Sequence, residues 1–189
     1  TWLHPQADGY AGPLIHRFKE NQPFHVQLLE TLRTGTRVQN PESASAEWER
    51  GEMPPGLARI ITAFMNAHSR ASALAAARQP VFANVRSLLD VGGGSGIFSI
   101  EMARAWSQLR ATVMEIDTIC IEADKYIKEA GIADRVKTLP VNMFAQPWPT
   151  GHDAHFFSNI FHDWSDETCR LLARKSFESL PAGGRIVLH

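Results

Sequence analysis

Three short segments of this chain have residue types and spacing suited to holding one small ligand, and a histidine follows them. The first is Asp90-Val91-Gly92-Gly93-Gly94-Ser95-Gly96, with four glycines in five positions. Glycines let the backbone take positive φ and approach a ligand with no Cβ in the way. A dinucleotide site uses G-x-G-x-x-G, but here the sixth position is Ile97 counting from Gly92 and Ser99 counting from Gly94, so the turn suits a ligand without a pyrophosphate. The second segment ends at Glu115, about twenty residues further on, where a carboxylate can accept from both hydroxyls of a ribose. Asp117 is a less favoured substitute. The third is Val141-Asn142-Met143-Phe144, in which Asn142 offers a partner for an adenine amino group and Met143 a soft apolar surface for the ring. Together they describe an adenosine pocket.

His162 lies in Asn159-Ile160-Phe161-His162-Asp163-Trp164, directly before the helix-capping signature Ser165-Asp166-Glu167. An isolated histidine is usually satisfied by local hydrogen bonds, but its place at a strand's carboxyl end, near the glycine turn, favours a general base. Proton transfer from a phenol of pKa about 10 to an imidazole of about 6.5 is uphill by roughly 3.5 units, or about 5 kcal/mol. An adjacent positive charge, and proton transfer concerted with attack by the oxygen, lower that barrier. A phenol or enol is therefore a suitable partner and an unactivated alcohol a poor one. Asp163 either orients the base or caps the next helix. Phe64, Met65, Phe161 and Trp164 offer an apolar wall for an aromatic acceptor. His152-x-x-His155 lacks the i,i+4 pairing of a helical metal site and sits by a Pro/Gly turn, so both are expected to be surface histidines, and no metal is expected.

The elements that must position these residues follow from the hydrophobic pattern. Residues 1–22 read as a loop, and Phe24 to Leu32 as a helix stopped by Gly35. Residues 36–56 read as a loop anchored by Trp48, and Leu57 to Arg78 as a long helix with Ile60, Ile61, Phe64, Met65 and Leu74 on one stripe. From Val85 strands and helices alternate. Strands are expected at Arg86–Val91, Ala111–Ile116, Arg135–Leu139, Ala154–Ile160 and Arg185–Leu188. Helices are expected at Ile97–Trp106, Ile119–Ala130 and Asp166–Leu180. That grammar implies a parallel sheet with helices on both faces, and ligands bind such sheets outside the carboxyl ends of the strands.

Nineteen basic and twenty acidic side chains leave a net charge of −1, without the basic footprint of a nucleic-acid or anionic-membrane binder. Cys120 and Cys169 are read as buried free thiols of a reducing, cytoplasmic compartment. No apolar run approaches the roughly 20 residues of a membrane span. The absent initial Met and the unfinished last strand suggest a fragment.

The segments Leu89 to Gly96, Asn142-Met143-Phe144, Phe161 to Glu167 and Leu180-Pro181-Ala182-Gly183-Gly184, in this order, resemble the class I S-adenosylmethionine-dependent O-methyltransferases of plant caffeate, acetylserotonin and bacterial natural-product type. The resemblance covers roughly residues 24–189. It implies a Rossmann-like methyltransferase domain over 81–189, lacking its C-terminal antiparallel strands. Residues 1–80 would be a helical linker and substrate wall, the tail of an N-terminal winged-helix domain that makes a homodimer. It also implies S-adenosylmethionine as cofactor, a small aromatic or polyketide-like acceptor and His162 as base. Gly92, Gly94, Glu115, Asn142, Met143 and Ser158 would contact the cofactor, Ser69 would touch its methionine end, and Met65 would face the acceptor. The chain departs from the family in having Glu115-Ile116-Asp117 where Asp-Leu-Pro is usual, Asn142 for an Asp, and Ser158 for a basic residue common in plant members. The alternatives are a relative that keeps the cofactor but hydroxylates, decarboxylates or cyclises, and a non-catalytic binding module.

Overall fold

A computed structural model describes residues 44–189, together with 4–6, 10, 12, 29, 30 and 32–34. Of the helix expected from Phe24 to Leu32, residues 29, 30 and 32 are helical; its other residues, and most of 1–22, lie outside the described residues. The elements are α1 (Ala44–Arg50), α2 (Pro55–Ala76), β1 (Ser87–Val91), α3 (Ile97–Ala105), β2 (Arg110–Glu115), α4 (Asp117–Glu129), β3 (Val136–Pro140), β4 (Ala154–Phe157), α5 (Asp166–Ser179) and β5 (Arg185–Leu188). Single-turn 3₁₀ segments lie at Pro80–Phe82 and Phe161–Asp163.

All five strands are parallel, in the order β3-β2-β1-β4-β5. The chain steps outward from β1 to β3 and then returns to the other side of β1. The crevice where the order reverses therefore opens at the carboxyl ends of β1 and β4. Helices cover both faces, so β1 is buried from Leu88 to Val91 and reads as a continuous apolar run interrupted only by Asp90. The main core gathers Leu88, Val113, Phe156, Phe98 and Phe82, with Ala73 of α2 and Ala77 just beyond it in the same cluster. The Phe156 ring lies 5.2 Å from that of Phe98 and 5.9 Å from that of Phe82. Among the described residues no helix is long and apolar enough to cross a membrane.

The structure corrects four expectations. The stretch 36–56 is not wholly a loop, because α1 forms within it and puts Trp48 in an apolar cluster with Met53, Ile61, Ile116 and Ile119. β4 ends at Phe157 rather than Ile160, since Asn159 takes φ +55°, a left-handed conformation that stops a strand and that asparagine tolerates better than most residues. Cys120 is buried as expected, but Cys169 is only half-buried. Finally, His152 and His155 are not surface residues.

Every residue of β4 is buried, so His155 is fully enclosed, its Nδ1 2.8 Å from Ser176 Oγ. His152 is buried beside it, with Nε2 3.2 Å from Thr112 Oγ1. Burial, and secondarily the neighbouring His152, hold His155 down at about 4, below the ordinary 6.5. The unfolded chain therefore takes up this proton first, and stability that His155 contributes above pH 6.5 is lost as pH falls toward 4. Between pH 7 and pH 4.5 the wild type should lose on the order of 2 kcal/mol more than a His155→Phe variant in urea unfolding. Equal losses would show that this histidine does not titrate with folding.

Candidate functional site

The turn after β1 is built around Asp90. Its carboxylate is fully buried and accepts a hydrogen bond from Ser99 Oγ at 2.7 Å, joining the end of the strand to the first turn of α3. Burial pushes Asp90 up to about 6, against the opposing effect of the Ser99 hydrogen bonds. The chain above it is too close for side chains, since a Cβ on Gly93 would stand 2.7 Å from Asp90 Cγ. Gly92 (φ +66°) and Gly94 (φ +57°) are left-handed; a Cβ on Gly92 would meet Ile160 Cδ1 at 2.5 Å.

Beside this turn lies a cleft of about 230 Å³. Phe64, Met65, His68 and Ser69 of α2 line one wall, Asp90 and Gly92 to Ser95 the floor, Ile97 and Phe98 the start of α3, and Ser158, Asn159, His162 and Asp163 the wall after β4. Two buried polar atoms here, Asp90 Oδ1 and Ser95 Oγ, have no hydrogen-bond partner among the described residues. An acceptor and a hydroxyl so placed fit a ligand that brings its own donors, such as an ammonium group. His162 and Asp163 are exposed and adjacent, with Nε2 3.4 Å from Oδ1. Asp163 does not cap α5, because Ser165 does so by accepting from the Thr168 N–H.

A second recess adjoins Gly92 and is lined by Trp48, Met114, Glu115, Ile116, Val141, Met143 and Phe144. Glu115 is buried at the end of β2 and accepts from the Ile116 N–H at 2.9 Å, while Asp117 is exposed at the start of α4. Desolvation pushes Glu115 up to about 7, opposed by donors from Ile116, Gly94 and the Trp48 side chain. Cleft and recess meet at Gly92, so one extended ligand crossing that glycine would touch both.

Of the residues expected in the site, Gly92, Gly94, Met65, Ser69, Ser158, His162 and Asp163 meet in the cleft, and Glu115 and Met143 in the recess. Three are elsewhere. Asn142 Oδ1 accepts from the N–H groups of Phe144 and Ala145, and Nδ2 donates to Glu49 O at 2.9 Å, so the amide is committed to its own turn and to α1. Phe161 and Trp164 pack on the sheet's second apolar cluster, Phe161 edge-on to Phe157 and Trp164 edge-on to Phe144. The 3₁₀ turn explains this: residues three apart eclipse in such a turn, so 161 and 164 point inward together while His162 and Asp163 point out.

The sequence pattern left Ser95, Ser99, Asn159 and His68 without a role. His68 had a signal, standing four residues after Phe64 on α2, and the two rings are stacked 5.8 Å apart. The serines had none, because their partners come together only in the fold.

The family model described as an O-methyltransferase domain matches residues 30–189. The chain belongs to this family. It is 29% identical to the 3-hydroxy-5-methyl-1-naphthoate 3-O-methyltransferase of Streptomyces sahachiroi, covering 99% of this chain and 54% of that protein. It is also 30% identical to the aclacinomycin 10-hydroxylase RdmB of Streptomyces purpurascens, covering 85% and 43%. A crystal structure of the S-adenosylmethionine-dependent methyltransferase SibL superposes with a TM-score of 0.71 at 30% identity, over 95% of this chain and 55% of the other. The chain thus spans about half the length of the curated relatives it matches. Within this O-methyltransferase domain the glycine turn carries the strictest steric constraint. Gly92→Ala should destabilise it by about 1–2 kcal/mol through left-handed strain alone, and displacement of Ile160 adds to that. A denaturation midpoint equal to wild type would contradict the geometry.

Proposed function

We propose that this domain transfers a methyl group from S-adenosylmethionine to a phenolic or enolic hydroxyl of a small aromatic acceptor in natural-product biosynthesis, with His162 as general base. The observation that carries the reading is that His162 faces the same cleft as the glycine turn. The bound cofactor supplies an electrophilic methyl on a sulfonium. The residues supply the rest. The unpartnered oxygens of Asp90 and Ser95 suit the ammonium of the methionine end, with Ser69 and Ser158 beside them. Glu115 accepts from the ribose, and Met143 lies against the adenine. Phe64 and Met65 face the acceptor. His162 takes the hydroxyl proton as the oxygen attacks, and Asp163 beside it steadies the imidazolium that forms.

The likeness to an aclacinomycin 10-hydroxylase favours one second reading, in which the cofactor is retained and the product is hydroxylated. The mass of the product separates the two, since methylation adds one carbon and hydroxylation one oxygen. His162→Ala should lower methyl transfer to a phenolic acceptor by about 10²–10⁴-fold while leaving affinity for S-adenosylhomocysteine within a few-fold. Turnover unchanged in this variant would remove His162 from the chemistry.

A further inference from the structure

Between β3, which ends at Pro140, and β4, which starts at Ala154, the chain forms neither strand nor helix, so the turn that supplies Met143 takes its shape from side chains. Asn142 holds one side of it. Its Oδ1 accepts from the N–H groups of Phe144 and Ala145, and its carbonyl accepts from that of Gln146 at 3.0 Å. With three successive N–H groups turned toward Asn142, the carbonyls of this turn are left facing the other way, like the unpaired carbonyls at the end of a helix.

Lys175 of α5 closes that other side. Its ammonium donates to the carbonyls of Met143, Phe144 and Gln146 at 3.0, 2.8 and 2.8 Å, which uses every donor it has. Among the described residues no carboxylate pairs with it. Holding a lysine this way costs rotamer freedom and hydration, and burial lowers its pKa below the ordinary value. The support behind it is firm. Leu172 and Ser176, three residues before it and one after, are fully buried, and Ser176 Oγ lies 2.8 Å from His155 Nδ1 of β4. The Met143 carbonyl also accepts from Trp148 Nε1 at 2.8 Å, so both of its lone pairs are taken.

What this fixes is the backbone from which the Met143 side chain enters the recess. That side chain is buried, and its sulfur lies 3.9 Å from where a Cβ on Gly92 would stand, at the glycine shared by cleft and recess. A thioether on three rotatable bonds presents a defined surface only if its backbone is held. We propose that Lys175 is a positioning residue for the adenosyl group, its ammonium clamping the carbonyls of Met143, Phe144 and Gln146 so that the Met143 side chain is held where the purine packs. This rests on the reading of Met143 as the surface for the adenine.

The test is titration calorimetry of the wild-type chain, Lys175→Met and Lys175→Arg with S-adenosylhomocysteine and with 5′-methylthioadenosine, which has the same nucleoside and no amino-acid end. Lys175→Met should bind both ligands about tenfold more weakly, about the worth of one hydrogen bond to a charged group. Lys175→Arg keeps a charge and several donors and should stay within about threefold of wild type. If Lys175→Met does not fold, Lys175→Gln, with one donor group and no charge, decides by the same comparison. Dissociation constants unchanged in the folded variant, whatever its unfolding midpoint, would show a purely structural lysine and overturn the proposal. So would a loss confined to S-adenosylhomocysteine, or equal weakening by Lys175→Arg and Lys175→Met. Each of these results leaves the cofactor reading intact, whereas a folded wild-type chain that binds neither ligand overturns both.

Discussion

A buried carboxylate at the end of β1 ties the glycine turn to the first turn of α3. Asp90 is the last polar group before the glycine turn, and its only side-chain partner among the described residues is Ser99 on the first turn of α3. Burial raises its pKa to about 6, so near neutrality the group stays mostly ionised in a place where charge is costly. A cationic ligand above it would favour the ionised form. The same close packing excludes a side chain at position 93, and the chain is left-handed at 92 and 94 on either side of it. The buried acid thus sets how closely the turn's backbone approaches it at Gly93 and the polarity of the cleft floor.

The remaining geometry follows from the sheet. Because strand order reverses between β1 and β4, the loops leaving those strands diverge beyond the contact of Gly92 with Ile160, and the gap between them is the cleft. β2 and β3 lie on the other side of β1 and end at Glu115 and near Met143, which forms the recess. The two spaces differ in character. The cleft is open, with an exposed His162–Asp163 pair at its rim, while the recess is closed around a second buried carboxylate. A ligand with a charged, reactive end and a nucleoside end matches this division, and Gly92 is the point over which it would bend.

Much of this was legible from local pattern. Strands β1, β2 and β5 and helices α2, α3 and α5 lie within a few residues of the expected bounds, because periodicity and Gly/Pro punctuation act locally. So did the placement of Gly92, Glu115 and His162, since strand ends can be counted from a sequence. What escaped depended on direction or partnership. The strand stops three residues short of Ile160, and the 3₁₀ turn that follows at Phe161–Asp163 swung Phe161 and Trp164 into the core and left His162 outside. Asn142 has the polarity expected of an adenine partner, but its amide found nearer partners in its own turn and in α1. His152 and His155 looked like surface residues because of the Pro/Gly turn beside them, although a strand covered on both faces already implied burial for His155. Trp48 showed itself as an anchor; what it anchors against became visible only when Glu115 was seen beneath it.

The central claim is that cleft and recess hold one ligand, with its reacting sulfur facing His162. A crystal structure of the protein with S-adenosylhomocysteine tests it most directly. The account predicts the sulfur in the cleft between the glycine turn and His162, the amino group on Asp90 and Ser95, and the ribose hydroxyls on Glu115. A ligand bound with its ribose away from Glu115, or with its sulfur turned from His162, would contradict it.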